Sequence, residues 1–250
     1  MSVNGYLNDL AQRAIVRDNE KNRIQVSIKT ILGKLDNHFS DEIEKISRYG
    51  SHKRSTNLSR KFDNNPDVDI MIIFKDNTKK PQTYLNYLKS FAESKYPKSL
   101  CRQSFPAVVL ELNHIKFDLV PAIIDDFGDY KIPNKQGWYQ AQVSDWITTN
   151  PNDLNKALVN NQTLRRLVRV AKIWNANQGY IYESYELEKW IVQQCFYGDL
   201  SLSEYFYRFC NLLPINYNLS QENQKKILRL KKAAKEAQDN DEYCIKGLFE

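Results

Sequence analysis

Apolar residues recur at spacings of three and four through residues 22–39, at Ile24, Ile28, Ile31, Leu32, Leu35 and Phe39. That period predicts a long amphipathic helix, because residues three and four apart share one helical face. The helix leads to Ile46-Ser47-Arg48-Tyr49-Gly50-Ser51 and then to a polar stretch ending at Pro66. The pattern changes at Asp67-Val68-Asp69-Ile70-Met71-Ile72-Ile73-Phe74, a short β-rich run bounded by turn residues, which reads as a buried strand. Residues 81–96 read as a helix, and 107–112 and 115–123 as strands joined by a tight turn at Asn113-His114. Further on, helices are expected near 152–160, 161–176, 184–197, 202–211 and 220–238. Strands interleaved with helices, followed by a run of helices, predict an α+β half and a helical half. The change of character lies near Trp146–Pro151, which divides the chain into 1–148 and 149–250.

Composition narrows the class. The 250 residues are 42% hydrophobic, enough for a sizeable core. Gly and Pro number 8 each, which argues against long flexible linkers. No apolar run approaches the roughly 20 residues that span a bilayer. The first residues, MSVNGYLNDLAQRAIVRDNE, lack the basic and apolar regions of a secretory signal, so a cytoplasmic protein with no membrane partner is expected. Cys101, Cys195, Cys210 and Cys244 show no CxxC spacing and read as reduced and structural. A formal charge of +6 suits an anionic partner, such as a nucleoside triphosphate or a nucleic acid.

The first candidate chemistry is a set of carboxylates. Asp67 and Asp69 are two apart on a strand, so both project from one face, while Val68, Ile70 and Ile72 alternate to the other. Like charges so close repel, and divalent cations would relieve the repulsion. Asp118 lies within Ile115-Lys116-Phe117-Asp118-Leu119-Val120. If that strand lies beside the first, the three carboxylates suffice for two Mg²⁺ ions about 3.5–4 Å apart. Mg²⁺ takes oxygen ligands and keeps several waters, so few protein ligands are needed. A bare Asp-x-Asp also fits an Asp-rich turn entering a strand.

Gly50-Ser51 changes that balance. Glycine lets backbone approach a ligand closely, and turn N–H groups and the Ser hydroxyl can hold phosphate oxygens. Lys53, Arg54 and Arg60 add positive charge. In the helix at 161–176, Leu164, Leu167, Val168, Ala171 and Trp174 form an apolar face, and Arg165, Arg169 and Lys172 a basic stripe. The stripe suits either a triphosphate or plain solvent. Ser184 has the chemistry of an N-cap for the next helix, and Tyr185 can stack on a base or pack in the core.

Together these segments resemble the polymerase-beta-like nucleotidyltransferase superfamily: Gly50-Ser51, then Asp67-x-Asp69, then a strand Asp118. More narrowly, the chain is similar to the bacterial CD-NTase (SMODS) group, relatives of animal cyclic GMP-AMP synthase. That likeness is carried by Arg48-Tyr49-Gly50-Ser51-His52-Lys53-Arg54-Ser55-Thr56, Phe117-Asp118-Leu119-Val120-Pro121-Ala122, Leu167-Val168-Arg169-Val170-Ala171-Lys172-Ile173-Trp174-Asn175 and Ser184-Tyr185-Glu186-Leu187-Glu188, covering roughly residues 22–198. The resemblance implies a mixed-sheet nucleotidyltransferase core joined to a helical lobe that closes a nucleotide cleft. It implies a Mg²⁺-dependent, pyrophosphate-releasing synthase of a cyclic di- or trinucleotide in anti-phage (CBASS) signalling, active also with Mn²⁺, binding nucleoside triphosphates such as ATP and GTP and feeding a downstream cyclic-nucleotide-sensing effector. Asp67, Asp69 and Asp118 would be catalytic and metal-binding. Gly50, Ser51, Arg54, Lys172 and Ser184 would serve the donor triphosphate, and Tyr185 its base. The zinc-binding insertion with which animal cyclic GMP-AMP synthase engages DNA is absent from the sequence, so direct activation by double-stranded DNA is not expected. Two other readings remain open: an RNA-terminal, CCA-adding-like transferase, and a noncatalytic nucleic-acid-binding module on the same fold.

Overall fold

The structure, a computed structural model, describes residues 2–63, 66–135, 144–194, 196, 200–240 and 245–249. The chain falls into two compact units, each assembled from separated stretches. One comprises Arg17–Lys53 and Asn65–Asp153, the other Met1–Val16, Arg54–Asn64 and Leu154–Glu250.

The first unit is a mixed sheet covered by helices. After α1 (Val3–Arg13, in the other unit) come α2 (Asp18–Phe39), β1 (Ile43–Tyr49), α3 (Gly50–Arg54), β2 (Asp67–Phe74), α4 (Pro81–Lys95), β3 (Leu100–Ser104), β4 (Ala107–Leu112), β5 (Ile115–Ile124), β6 (Tyr130–Pro133) and β7 (Trp146–Thr149). Among the described residues the sheet has seven strands, in the order β1-β2-β5-β4-β3, with β6 pairing β5 and β7 pairing β6. Only the β2–β5 pair is parallel in that list. A parallel pair needs a crossover, and here α4, β3 and β4 supply it. Ile24, Ile28, Ile31, Leu35 and Phe39 of α2 are buried, as the helical period requires. Phe39 meets Phe74 edge-on at 5.5 Å between ring centres, tying α2 to the sheet. Val68, Ile70 and Ile72 are fully buried on one face of β2. On the other face, Met71 and Ile73 bury with Ala122 of β5. The sheet is thus apolar on both sides away from the end where Asp67 and Asp69 lie.

The second unit is helical: α1, α5 (Asn155–Val159), α6 (Gln162–Asn177), α7 (Ser184–Gln193), α8 (Leu202–Leu212) and α9 (Gln221–Asn240). Its core joins Leu7 and Leu10 of α1 with Leu167 and Trp174 of α6, Phe206 and Phe209 of α8, and Leu230 of α9. α6 is buried nearly all round, so it is the central helix. The segment after α3 is stitched into this unit by the Ser59 amide, which donates to the Ala14 carbonyl at 2.8 Å.

Sequence periodicity missed several elements. β1 read only as a hydrophobic approach to Gly50, because its alternation is shallow, and α1 carries its apolar side chains among polar ones. The short edge elements β3, β6 and β7 have no strong period of their own. Ser184 is the first residue of α7 rather than its cap; Glu183 precedes the helix with no side-chain capping bond. The helix expected over 184–197 ends at Gln193, where Gln194 turns to an extended conformation and its amide bonds back to the Ile191 carbonyl; Cys195 and Cys244 lie outside the described residues.

Candidate active site

The carboxylates meet through the parallel pairing. In the β2–β5 register Asp69 sits opposite Asp118, and Asp67 opposite Lys116. Residues two apart share a face, so Asp67, Asp69, Lys116 and Asp118 all project from one side of adjacent strands. The antiparallel partner of Asp69 on β1 is Tyr49, which brings Gly50 against it. Gly50 has φ +72°, and a Cβ there would land on the Asp69 side chain, 2.5 Å from its Cγ. Only glycine meets both demands, a left-handed backbone and a bare approach to a carboxylate.

Asp118 sits in an unfavourable setting for a carboxylate. Its Oδ1 is buried and lacks a hydrogen-bond partner. Burial pushes its pKa up to about 6, helped by the nearby charge of Asp67 and opposed by Lys116 and Arg102. Lys116 Nζ lies 3.6 Å from Asp67 Oδ2 and 3.9 Å from Asp118 Oδ1. Those distances are ion-pair contacts, longer than hydrogen bonds. Among the described residues, no three His, Cys, Asp or Glu side chains are drawn together as a ready-made metal site. The donor set nevertheless fits a hard divalent cation: all oxygen, mutually repelling, and with one buried acceptor unmet. Next to Ser51, His52 is held below its ordinary pKa by burial and by the charges of Arg48 and Lys21. This end of the sheet therefore places cations around the Gly-Ser turn and anions on β2 and β5.

In the helical unit two of the expected nucleotide residues, Arg54 and Lys172, converge on one acid. Glu188 is fully buried and accepts from Arg54 Nε at 2.6 Å, Thr56 Oγ1 at 2.9 Å and Lys172 Nζ at 3.2 Å. Burial works against ionisation of Glu188, but the charges of Lys172 and Arg54 and their hydrogen bonds outweigh it, and its pKa is lowered. Lys172, 8% exposed, also donates to the Thr56 carbonyl. Arg169, 6% exposed, donates to the backbone carbonyls of Ala11 and Ser55. These two stripe residues are therefore buried, not solvated. The cluster carries three buried cations, Arg54, Arg169 and Lys172, against one buried acid, Glu188. Such a surplus favours an anion nearby. The Arg54 guanidinium lies 6.0 Å and the Lys189 ammonium 5.8 Å from the ring centre of Tyr185, which is itself exposed. Ser184 is half-buried one residue earlier.

The site residues thus fall into two sets: Gly50, Ser51, Asp67, Asp69 and Asp118 in the sheet unit, and Arg54, Lys172, Ser184 and Tyr185 in the helical unit. Sequence reasoning assigned no role to Glu188, Thr56 or Lys116. One signal for Glu188 was visible: an acid set in the apolar spacing of Leu187 and Ile191 is costly unless cations meet it.

The chain matches the profile of the Second Messenger Oligonucleotide or Dinucleotide Synthetase domain, SMODS, over residues 1–161. It belongs to this family. As a SMODS member it is a nucleotidyltransferase. Its fold is that of solved CD-NTases. The chain aligns with CdnG of Bradyrhizobium diazoefficiens, solved with GTP, at TM-score 0.75 and 12% identity, covering 98% of this chain and 95% of that one. E. coli CdnC, solved with ATP, gives 0.66 and 14%, covering 94% and 90%. The cyclic dinucleotide synthase CdnE of Elizabethkingia meningoseptica, with GTP and Apcpp, gives 0.63 and 15%, covering 90% and 96%. No curated protein sequence matches the chain. No helix among the described residues is long and apolar enough to cross a membrane.

Proposed function

We propose that the chain is a metal-dependent cyclic oligonucleotide synthase that joins ribonucleoside triphosphates into a cyclic di- or trinucleotide second messenger. The observation that carries the reading is the pairing of Asp69 with Asp118 in parallel register, with a buried oxygen on Asp118 that accepts no hydrogen bond. Family membership and solved relatives holding GTP or ATP support it. Asp67, Asp69 and Asp118 would hold two Mg²⁺ ions, for which Mn²⁺ could substitute. Bound there, the metal pair would activate the acceptor hydroxyl and stabilise the leaving pyrophosphate. Ionised Asp118, as a ligand of the metal, would help deprotonate the acceptor hydroxyl, the O–H proton passing to water. Gly50 and Ser51 hold phosphate oxygens of the donor through backbone and hydroxyl hydrogen bonds. Lys172 and Ser184 contact the donor triphosphate, Arg54 adds positive potential beside them, and Tyr185 stacks on the base. The product serves anti-phage (CBASS) signalling in the cytoplasm through an effector that binds it. The division of labour follows the domain reading 1–148 for the metal-binding core and 149–250 for the helical part, with the N-terminal helix α1 and residues 54–64 belonging to the latter's fold.

The test is product analysis. Purified protein is incubated with Mg²⁺ and four ribonucleoside triphosphates, with and without a short RNA, treated with phosphatase and examined by mass spectrometry. A phosphatase-resistant cyclic product that disappears in Asp67→Asn is expected. Linear extension of added RNA, with no cyclic product, would overturn the reading in favour of tail addition.

A further inference from the structure

The ammonium of Lys116 lies within ion-pair range of two carboxylates at once, Asp67 and Asp118. It lies on β5 two residues before Asp118, so both side chains share a face, and the register sets it opposite Asp67. It is within 4 Å of both acids yet bonded closely to neither. Arg102, the next cation acting on Asp118, is itself engaged by Glu111, with Nη2 3.2 Å from Oε1. The Asp118 Oδ1 that Lys116 approaches has no hydrogen-bond partner. The lysine is about a quarter exposed, so its flexible stem has room to swing into solvent.

We infer that Lys116 is a built-in counter-ion of the carboxylate site, a positioning residue that holds Asp67 and Asp118 together without metal and must be displaced when a divalent cation binds. The inference rests on the metal reading of Asp67, Asp69 and Asp118 given above. Its consequence is a set threshold. A lysine that competes with the cation weakens metal binding to the nucleotide-free protein. The site then loads fully when a triphosphate brings further oxygen ligands with its metal. Removing the charge should therefore tighten the metal rather than loosen it, the opposite of what loss of an ordinary active-site cation would do.

The experiment titrates the full chain with Mn²⁺ in the absence of nucleotide, reading free Mn²⁺ by electron paramagnetic resonance. Wild type, Lys116→Met, Lys116→Gln, Lys116→Arg and Asp67→Asn are compared, with thermal melts in chelator to verify folding. Lys116→Met and Lys116→Gln are expected to bind Mn²⁺ about three- to tenfold more tightly, as loss of one like charge near a partly buried site implies. Lys116→Arg should restore the wild-type affinity. The gain should shrink as ionic strength rises, because screening acts on the charge and not on packing. Unchanged or weaker Mn²⁺ binding in both neutral variants overturns the inference while leaving the metal site intact. If wild type binds no Mn²⁺ that Asp67→Asn removes, the metal reading itself falls and this inference with it.

Discussion

Asp118→Asn is expected to stabilise the metal-free protein while abolishing its activity. The carboxyl is buried to 23% exposure and its pKa is raised from 3.8 to about 6. The raised value means that the folded state penalises the ionised form. Below about 3.8 the group is protonated in both states and there is no penalty. Between 3.8 and 6 the folded protein holds a proton that the unfolded chain has lost, so stability falls as pH rises. Above about 6 the penalty is complete. At about 1.4 kcal/mol per pKa unit the shift corresponds to about 3 kcal/mol, and allowance for its partial exposure leaves about 2–3 kcal/mol. Asparagine has nearly the same shape and no charge, so the variant recovers most of this at neutral pH. For a chain of this size that is a rise in Tm of about 4–12 °C. Calorimetry or dye-monitored melting in chelator, at pH 4 and at pH 7.5, would read it. The two proteins should melt together at pH 4 and separate at pH 7.5. An Asp118→Asn protein melting at or below wild type at pH 7.5 would refute the argument, since the carboxylate would then be earning stability where the geometry says it loses it.

The other perturbations probe the two ends of the site. Gly50→Ala places a methyl group on the Asp69 carboxylate and forces an L residue into a left-handed conformation; activity should fall by at least tenfold with a stability loss of about 1–3 kcal/mol, measured by product formation beside urea unfolding. Wild-type turnover in that variant would mean that Asp69 is not held by this contact. Glu188→Gln leaves the buried Arg54 and Lys172 without their acid and should cost about 3–5 kcal/mol at pH 7. Because the Glu188 pKa is lowered on folding, its contribution is complete above the ordinary value of 4.5 and disappears as pH falls below it. The wild-type advantage in urea melts should therefore be constant from pH 6 to 8 and shrink toward pH 4; a gap that widens on acidification contradicts the assignment.

The chain's local periods alone determined α2, β2, α4, β4, β5 and the run of later helices. Each repeats its apolar residues at 3.6 or 2.0 over enough length to declare its own geometry. The spacing of Asp67 and Asp69 determined that both project from one face, and the positions of Gly50, Ser51 and Asp118 pointed to the same chemistry. What no local pattern could carry was pairing. That Asp118 lies level with Asp69 follows from a parallel register between strands more than forty residues apart, set by how α4, β3 and β4 bridge them. The close contact that reserves Gly50 for glycine comes from the antiparallel register of β1 against β2. Only tertiary structure decided that Arg54 and Thr56, just after the Gly-Ser turn, meet Glu188 more than a hundred residues on. The same holds for α1: its few apolar residues are weak evidence of a helix until α6 and α8 bury them. The basic stripe of α6 shows the limit most directly. Sequence can place Arg169 and Lys172 on one helical face, but whether that face meets water or a buried carboxylate depends on what packs against it, and packing is a property of the whole chain.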